Sequence, residues 1–153
     1  NAQQAVAGHL TLVMVRLLRM ATPAPAHSVL LIEDDQLLSD LLARKFAAEK
    51  IRMTYAPTGE IALDVLKNEE KRPSLILLDI RLPGIDGFEV LKLLKANPDL
   101  AKIPVIILSN FGQAEDIARG KNLGAEKFIV KVTLTLEQIV DVVRATFEKS
   151  PGS

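Results

Sequence analysis

A doubly wound α/β fold, with five parallel strands and five helices, is what the sequence predicts, and three observations predict it. Strand-like apolar runs alternate strictly with segments of helical period. One run, Leu75-Ile-Leu-Leu78, is continuously apolar, as a strand covered on both faces must be. The runs stop at acidic, hydroxyl or basic residues, among them Glu33-Asp34, Asp79, Ser109 and Lys131, on the edge where open α/β sheets bind ligands.

Ser28 to Ile32 reads as the first strand, and Leu37, Leu38, Leu41, Leu42 and Phe46 recur behind it at helical spacing. Ile51 to Tyr55 is a short second strand, and Thr58-Gly59 opens a helix carrying Ile61, Val65 and Leu66. Leu75 to Leu78 is the central third strand. Asp86, with Glu89 three residues on, forms a capping arrangement that starts a helix through Val90, Leu91 and Leu94, stopped near Asn97-Pro98. Pro104 to Leu108 is the fourth strand, a helix runs from about Gln113 to Gly124, and Lys127 to Val130 is the fifth strand. Leu136, Ile139, Val140, Val143 and Phe147 mark a last amphipathic helix. Strict alternation with right-handed crossovers makes the sheet parallel. The flavodoxin-like strand order 2-1-3-4-5 sets the first and third strands side by side, so Glu33-Asp34-Asp35 and Asp79 meet at the switch point.

The 153 residues fit one domain with one core. Nineteen basic residues balance nineteen acidic ones, which points away from a nucleic-acid groove or an anionic membrane surface as partner. The chain has no cysteine, so disulfides, thiolate metal sites and thiol nucleophiles are excluded, as suits a reducing cytoplasm. The two histidines, His9 and His27, both precede the first strand, which disfavours a histidine base or a zinc site. Residues 1–27 form an extension unlike the rest, either helical or a tag-like or processed segment. Its apolar stretch from Leu10 to Met20 is too short to span a bilayer and contains Arg16 and Arg19. Drawn as a helix, it gathers Leu10, Val13, Met14 and Leu17 on one face, which needs an apolar surface to cover it.

Several carboxylates crowded within a few ångströms raise one another's pKa and call for a counter-charge. Oxygen ligands of this kind, completed by a carbonyl and water, suit Mg²⁺ better than the full cage that Ca²⁺ takes. Asp35 has a simpler reading as the cap of the first helix. A carboxylate nucleophile, a divalent ion, a hydroxyl and an ammonium on one edge are the parts needed to accept a phosphoryl group.

These residues resemble the receiver domains of two-component response regulators, over Ser28 to about Lys149, with residues 150–153 as a tail. The resemblance rests on Leu30-Leu-Ile-Glu-Asp-Asp35, on Asp79 with Leu82-Pro83 and Gly87, on Ser109, and on Phe128-Ile-Val-Lys131. It implies that Asp79 is the phosphoacceptor, that Asp34 binds Mg²⁺ directly and Glu33 through water, and that the backbone carbonyl of Arg81 completes the metal site. It further implies Ser109 as the switch hydroxyl, Lys131 as the phosphate partner and Phe128 as the aromatic that follows the loop after Ser109. The implied partners are a sensor histidine kinase or phosphotransfer protein, and a downstream protein on the face of the fourth helix, fifth strand and fifth helix of the domain.

Three positions depart from the family pattern. Val132 stands where a proline usually follows Lys131, so a trans bond is expected there, because a cis non-proline bond costs about 3 kcal/mol. Asn110 stands where a small residue follows Ser109, and Phe128 lacks a phenolic hydroxyl. The expected function is a phosphorylation-dependent signalling switch in the cytoplasm, either a stand-alone receiver or a piece of a longer regulator, with a homodimer as a further expectation for the extension. A receiver-like scaffold that binds partners without phosphorylation is the alternative. A phosphatase is disfavoured, since Arg81 occupies the position where a second carboxylate would act as an acid.

Overall fold

The computed structural model describes residues 2–21 and 27–149. In chain order they form α1 (Ala2–Ala21), β1 (Ser28–Ile32), α2 (Gln36–Ala48), β2 (Arg52–Ala56), α3 (Gly59–Leu66), β3 (Leu75–Leu78), α4 (Gly87–Ala96), β4 (Val105–Ser109), α5 (Ala114–Asn122), β5 (Lys127–Val130) and α6 (Leu136–Lys149). Short 3₁₀ turns lie at Glu69–Lys71 and Lys131–Thr133. The strands pair in parallel in the order β2-β1-β3-β4-β5, as the alternation predicts. Five helices flank the sheet, and α1 is a sixth, formed within the extension.

Register explains why β3 is apolar throughout. It lies between β1 and β4, with Val29 beside Leu75 and Ile76 beside Val105, so neither face nor edge meets water. The period of two then divides the strand residues between two cores. Val29, Leu31, Leu75, Leu77, Ile106 and Leu108 pack with Leu42 and Phe46 of α2 and with Ile139, Val143 and Phe147 of α6. Leu30, Ile32, Ile76, Leu78 and Ile107 pack with Leu66 of α3 and with Phe88, Leu91 and Leu94 of α4. Each large side chain so buried contributes about 1.5–3 kcal/mol.

Helix starts follow the expected caps. Asp35, Thr58 and Asp86 each accept a backbone N–H from the third residue on, at 3.1, 3.2 and 2.9 Å. Asp35 is therefore a cap, as its simpler reading held. Two strand starts fall one residue later than the sequence suggests. The N–H of Ile51 donates to the carbonyl of Phe46 at 2.9 Å, which ties Ile51 to the end of α2. Pro104 has no N–H for the ladder, although its carbonyl accepts from Ile76 at 3.0 Å. The described side chains of α1, Ala5 to Leu18, are all exposed, so its apolar face is not covered by the domain's own surface.

Candidate functional site

The carboxyl ends of β1 and β3 meet as their register requires. The N–H of Asp79 donates to the carbonyl of Ile32 at 2.9 Å, and that of Glu33 donates to the carbonyl of Ala56 at 3.1 Å, so both acids extend the ladder beyond the apolar runs. Glu33, Asp34 and Asp79 place carboxylate oxygens within 4.8 Å of one another. Glu33 and Asp79 are buried, and Asp34 is exposed. Lys131, at the end of β5, pairs with Glu33 and lies 3.4 Å from Asp79 Oδ2; its side chain is only 11% exposed. Within this cluster of three carboxylates, one ammonium pairs with the two buried ones.

The electrostatics follow from that imbalance. Burial pushes the Glu33 and Asp79 carboxyls above their ordinary values, and the Lys131 ammonium pulls each back in part. Backbone amides assist: Ile80 N donates to Asp79 Oδ1 at 2.8 Å, and Asp35 N donates to Glu33 Oε1 at 3.0 Å. Uncompensated negative charge on hard oxygen donors fits a divalent cation of the Mg²⁺ kind, so the donor set agrees with the metal expected from sequence.

Ser109 closes β4 and is buried, and its Oγ accepts from Phe111 N at 3.3 Å. Phe128, on β5, is half-buried against the core on the α3 and α4 side. The described residues contain no cis peptide, so the Lys131–Val132 bond is trans as expected, and the chain leaves Lys131 through a 3₁₀ turn that exposes Val132 to 80%. Gly87 is required where α4 meets the site, because a Cβ there would lie 2.2 Å from the carbonyl oxygen of Asp79.

Three further residues belong to this region that sequence reasoning did not single out. The Arg81 guanidinium stacks over the Phe111 ring at 4.3 Å, joining the loops that follow β3 and β4. Adjacency to Ser109 was the only signal for Phe111. Tyr55 lies in the field of the acids, its hydroxyl pKa raised by burial and then by Glu33, Asp34, Asp35 and Asp40. Glu60 reaches the β3–α4 loop, where its Oε1 accepts from Ile85 N at 2.9 Å.

A parallel five-stranded sheet with an acid cluster at its switch point and a lysine at the end of the edge strand β5 is the architecture of a receiver-type signalling domain. The chain belongs to the response regulator receiver domain family, whose model matches residues 29–144. It is 34% identical over 116 residues to sporulation initiation phosphotransferase F of Bacillus subtilis, covering 76% of this chain and 90% of that protein. Among solved structures it resembles the signal receiver domain of a signal transduction histidine kinase from Syntrophus aciditrophicus, with a TM-score of 0.75, 26% identity, and coverage of 84% of this chain and 95% of that one. It also resembles the Mn²⁺-bound form of response regulator Rcp1, with a TM-score of 0.68, 29% identity, and coverage of 83% and 97%. The chain spans 18%, 44% and 49% of the length of three other curated relatives that it matches. Among the described residues no helix is long and apolar enough to cross a membrane.

Proposed function

We propose that Asp79 accepts a phosphoryl group from the phosphohistidine of a sensor histidine kinase or a phosphotransfer protein. The phosphorus–nitrogen bond breaks as a bond forms to a carboxylate oxygen of Asp79, and the departing imidazole takes up a proton. One observation carries this reading: three carboxylates cluster at the carboxyl ends of adjacent strands, and one ammonium pairs with the two buried ones. Asp34, Asp79 and the Arg81 carbonyl are the groups that would hold Mg²⁺, with Glu33 acting through water, and the ion would supply neutralising charge for the transferred group. The likeness to an Mn²⁺-bound receiver supports that assignment.

Lys131 then exchanges its contact with Asp79 for one with a phosphoryl oxygen, and Ser109 turns its hydroxyl to another. Movement of Ser109 frees room for Phe128, which acts by packing alone. The readout surface is the face of α5, β5 and α6, the domain's fourth helix, fifth strand and fifth helix, where Ile117, Lys121, Lys127 and Phe128 line part of a groove of about 270 Å³. Leu37, two residues after Asp35, and Val132, next to Lys131, are both exposed and offer apolar contacts to the donor. On this reading the domain works in the cytoplasm, where a sensor kinase presents its phosphohistidine. Incubation with acetyl phosphate and Mg²⁺ should add one base-labile phosphoryl mass to the wild type and none to Asp79→Asn. A wild type that gains no mass would instead support the scaffold that binds partners without phosphorylation.

A further inference from the structure

The loop from Asp79 to Asp86 carries the Arg81 carbonyl, and the two halves of that loop are fastened differently. The inner half is held from within: Leu82 N and Gly87 N converge on the Ile80 carbonyl at 3.2 and 2.8 Å, and Ile80 N donates to Asp79 Oδ1. The outer half, Pro83 to Ile85, has a proline without an N–H and a glycine at φ +77°. Among the described residues, one side chain from outside the loop hydrogen-bonds to this outer half: Glu60, from the first turn of α3.

The fit between them is close on both sides. A Cβ at Gly84 would lie 2.4 Å from Glu60 Oε1, so only glycine leaves the carboxylate room against the loop. A Cβ at Gly59, the neighbour of Glu60, would lie 2.8 Å from Ile85 and 2.5 Å from Val90, so α3 itself approaches the loop closely. The hydrogen bond from Ile85 is also the chief reason the Glu60 carboxyl stays below its ordinary range. Glu60 is exposed, so its contact adds little to global stability. Its effect falls on the loop. A backbone carbonyl that serves a cation must be held in place before binding, since ordering it at that moment weakens the affinity.

We propose that Glu60 is a positioning residue for the phosphoryl site, bracing the β3–α4 loop from α3 so that the Arg81 carbonyl is set for the cation. This rests on the reading that Arg81 completes the Mg²⁺ site. Calorimetric titration with Mg²⁺ alone tests it. Glu60→Ala should raise the Kd about tenfold, the scale of losing an outer partner of a metal ligand. Glu60→Gln keeps an oxygen acceptor for Ile85 N and should stay within about twofold of the wild type. Amide exchange at Ile85, measured without metal, should quicken in Glu60→Ala alone, while the melting temperatures stay close. An unmoved Kd in Glu60→Ala, beside normal wild-type binding, overturns this proposal and leaves the phosphoacceptor reading standing. An equal loss in Glu60→Gln overturns it too, because charge rather than the brace would then be responsible. A wild type that binds no Mg²⁺ removes the metal reading itself.

Discussion

Glu33 and Asp79 compete for one lysine in a buried setting, and the consequence is a stability cost that depends on pH. Burial raises both carboxyl pKa values, so as pH rises the unfolded chain loses these protons before the folded one does. The cost therefore begins at the ordinary carboxylate values and is complete above the raised folded ones. Stability of the metal-free protein should fall as pH climbs through that window. Asp79→Asn removes one of the two acids, so its urea midpoint at neutral pH without metal should exceed that of the wild type. A lower midpoint would show that the pair with Lys131 outweighs burial. Mg²⁺ acts on the same charges and should stabilise the wild type by about 2.7 kcal/mol at a hundredfold excess over its Kd. Asp34→Ala should lose most of this gain while folding normally, since Asp34 is exposed; calorimetric melting with and without Mg²⁺ decides it. Glu33, Asp34, Asp79 and Lys131 were legible in the sequence because each interrupts an apolar run at a strand end. Glu60 and Phe111 were not, because one acts across 25 residues and the other is an isolated aromatic in a loop, and no periodicity reports either.

At the level of elements, legibility followed the sharpness of the apolar-to-polar boundary rather than burial, since the fully buried β4 starts and ends one residue later than expected. β1, β3 and β5 have the bounds expected from sequence, because their ends coincide with abrupt changes from apolar to polar residues. β2 begins one residue late because Ile51 closes the turn after α2 at Lys50, whose φ of +58° reverses the chain. The 3₁₀ turn at Lys131–Thr133 had no sequence signal, and its hydroxyl contact from Thr133 to the carbonyl of Val130 at 2.7 Å appears only in three dimensions. The start of α4 is the element boundary on which the site depends most. A methyl group at Gly87 would press on the carbonyl of Asp79 itself, and the backbone there has no flexible side chain to yield. Gly87→Ala should cost about 1–3 kcal/mol, the usual range for forced overpacking. Urea unfolding measures the cost, and a loss below about 0.5 kcal/mol, the scatter of ordinary surface changes, would show that α4 can shift away.

For the whole molecule, the question is what α1 adds to a domain whose two cores already close the sheet. One core is sealed by α2 and α6 and the other by α3 and α4, so no sheet face remains for a further helix. Yet Leu10, Val13, Met14 and Leu17 are each between 42% and 59% exposed, and Val6 and Leu12 are exposed as well, a larger cluster of apolar side chains than scattered surface residues make. Val6, Leu10, Val13 and Leu17 recur at intervals of four, three and four, the seam spacing of helices that pair along their length. The side chain of Arg16, exposed on the opposite flank, can stay in water when they do. Removal of residues 1–26 should therefore leave folding and the phosphorylation of Asp79 intact, since no residue of either core or of the acid cluster is lost, and should reduce self-association. Sedimentation of the full and shortened chains at matched concentrations checks this, with mass after acetyl phosphate treatment as the control for the site. Monomers in both samples would remove the pairing role of α1, and an unfolded shortened chain would show that the helix supports the domain by a contact that its exposure does not reveal.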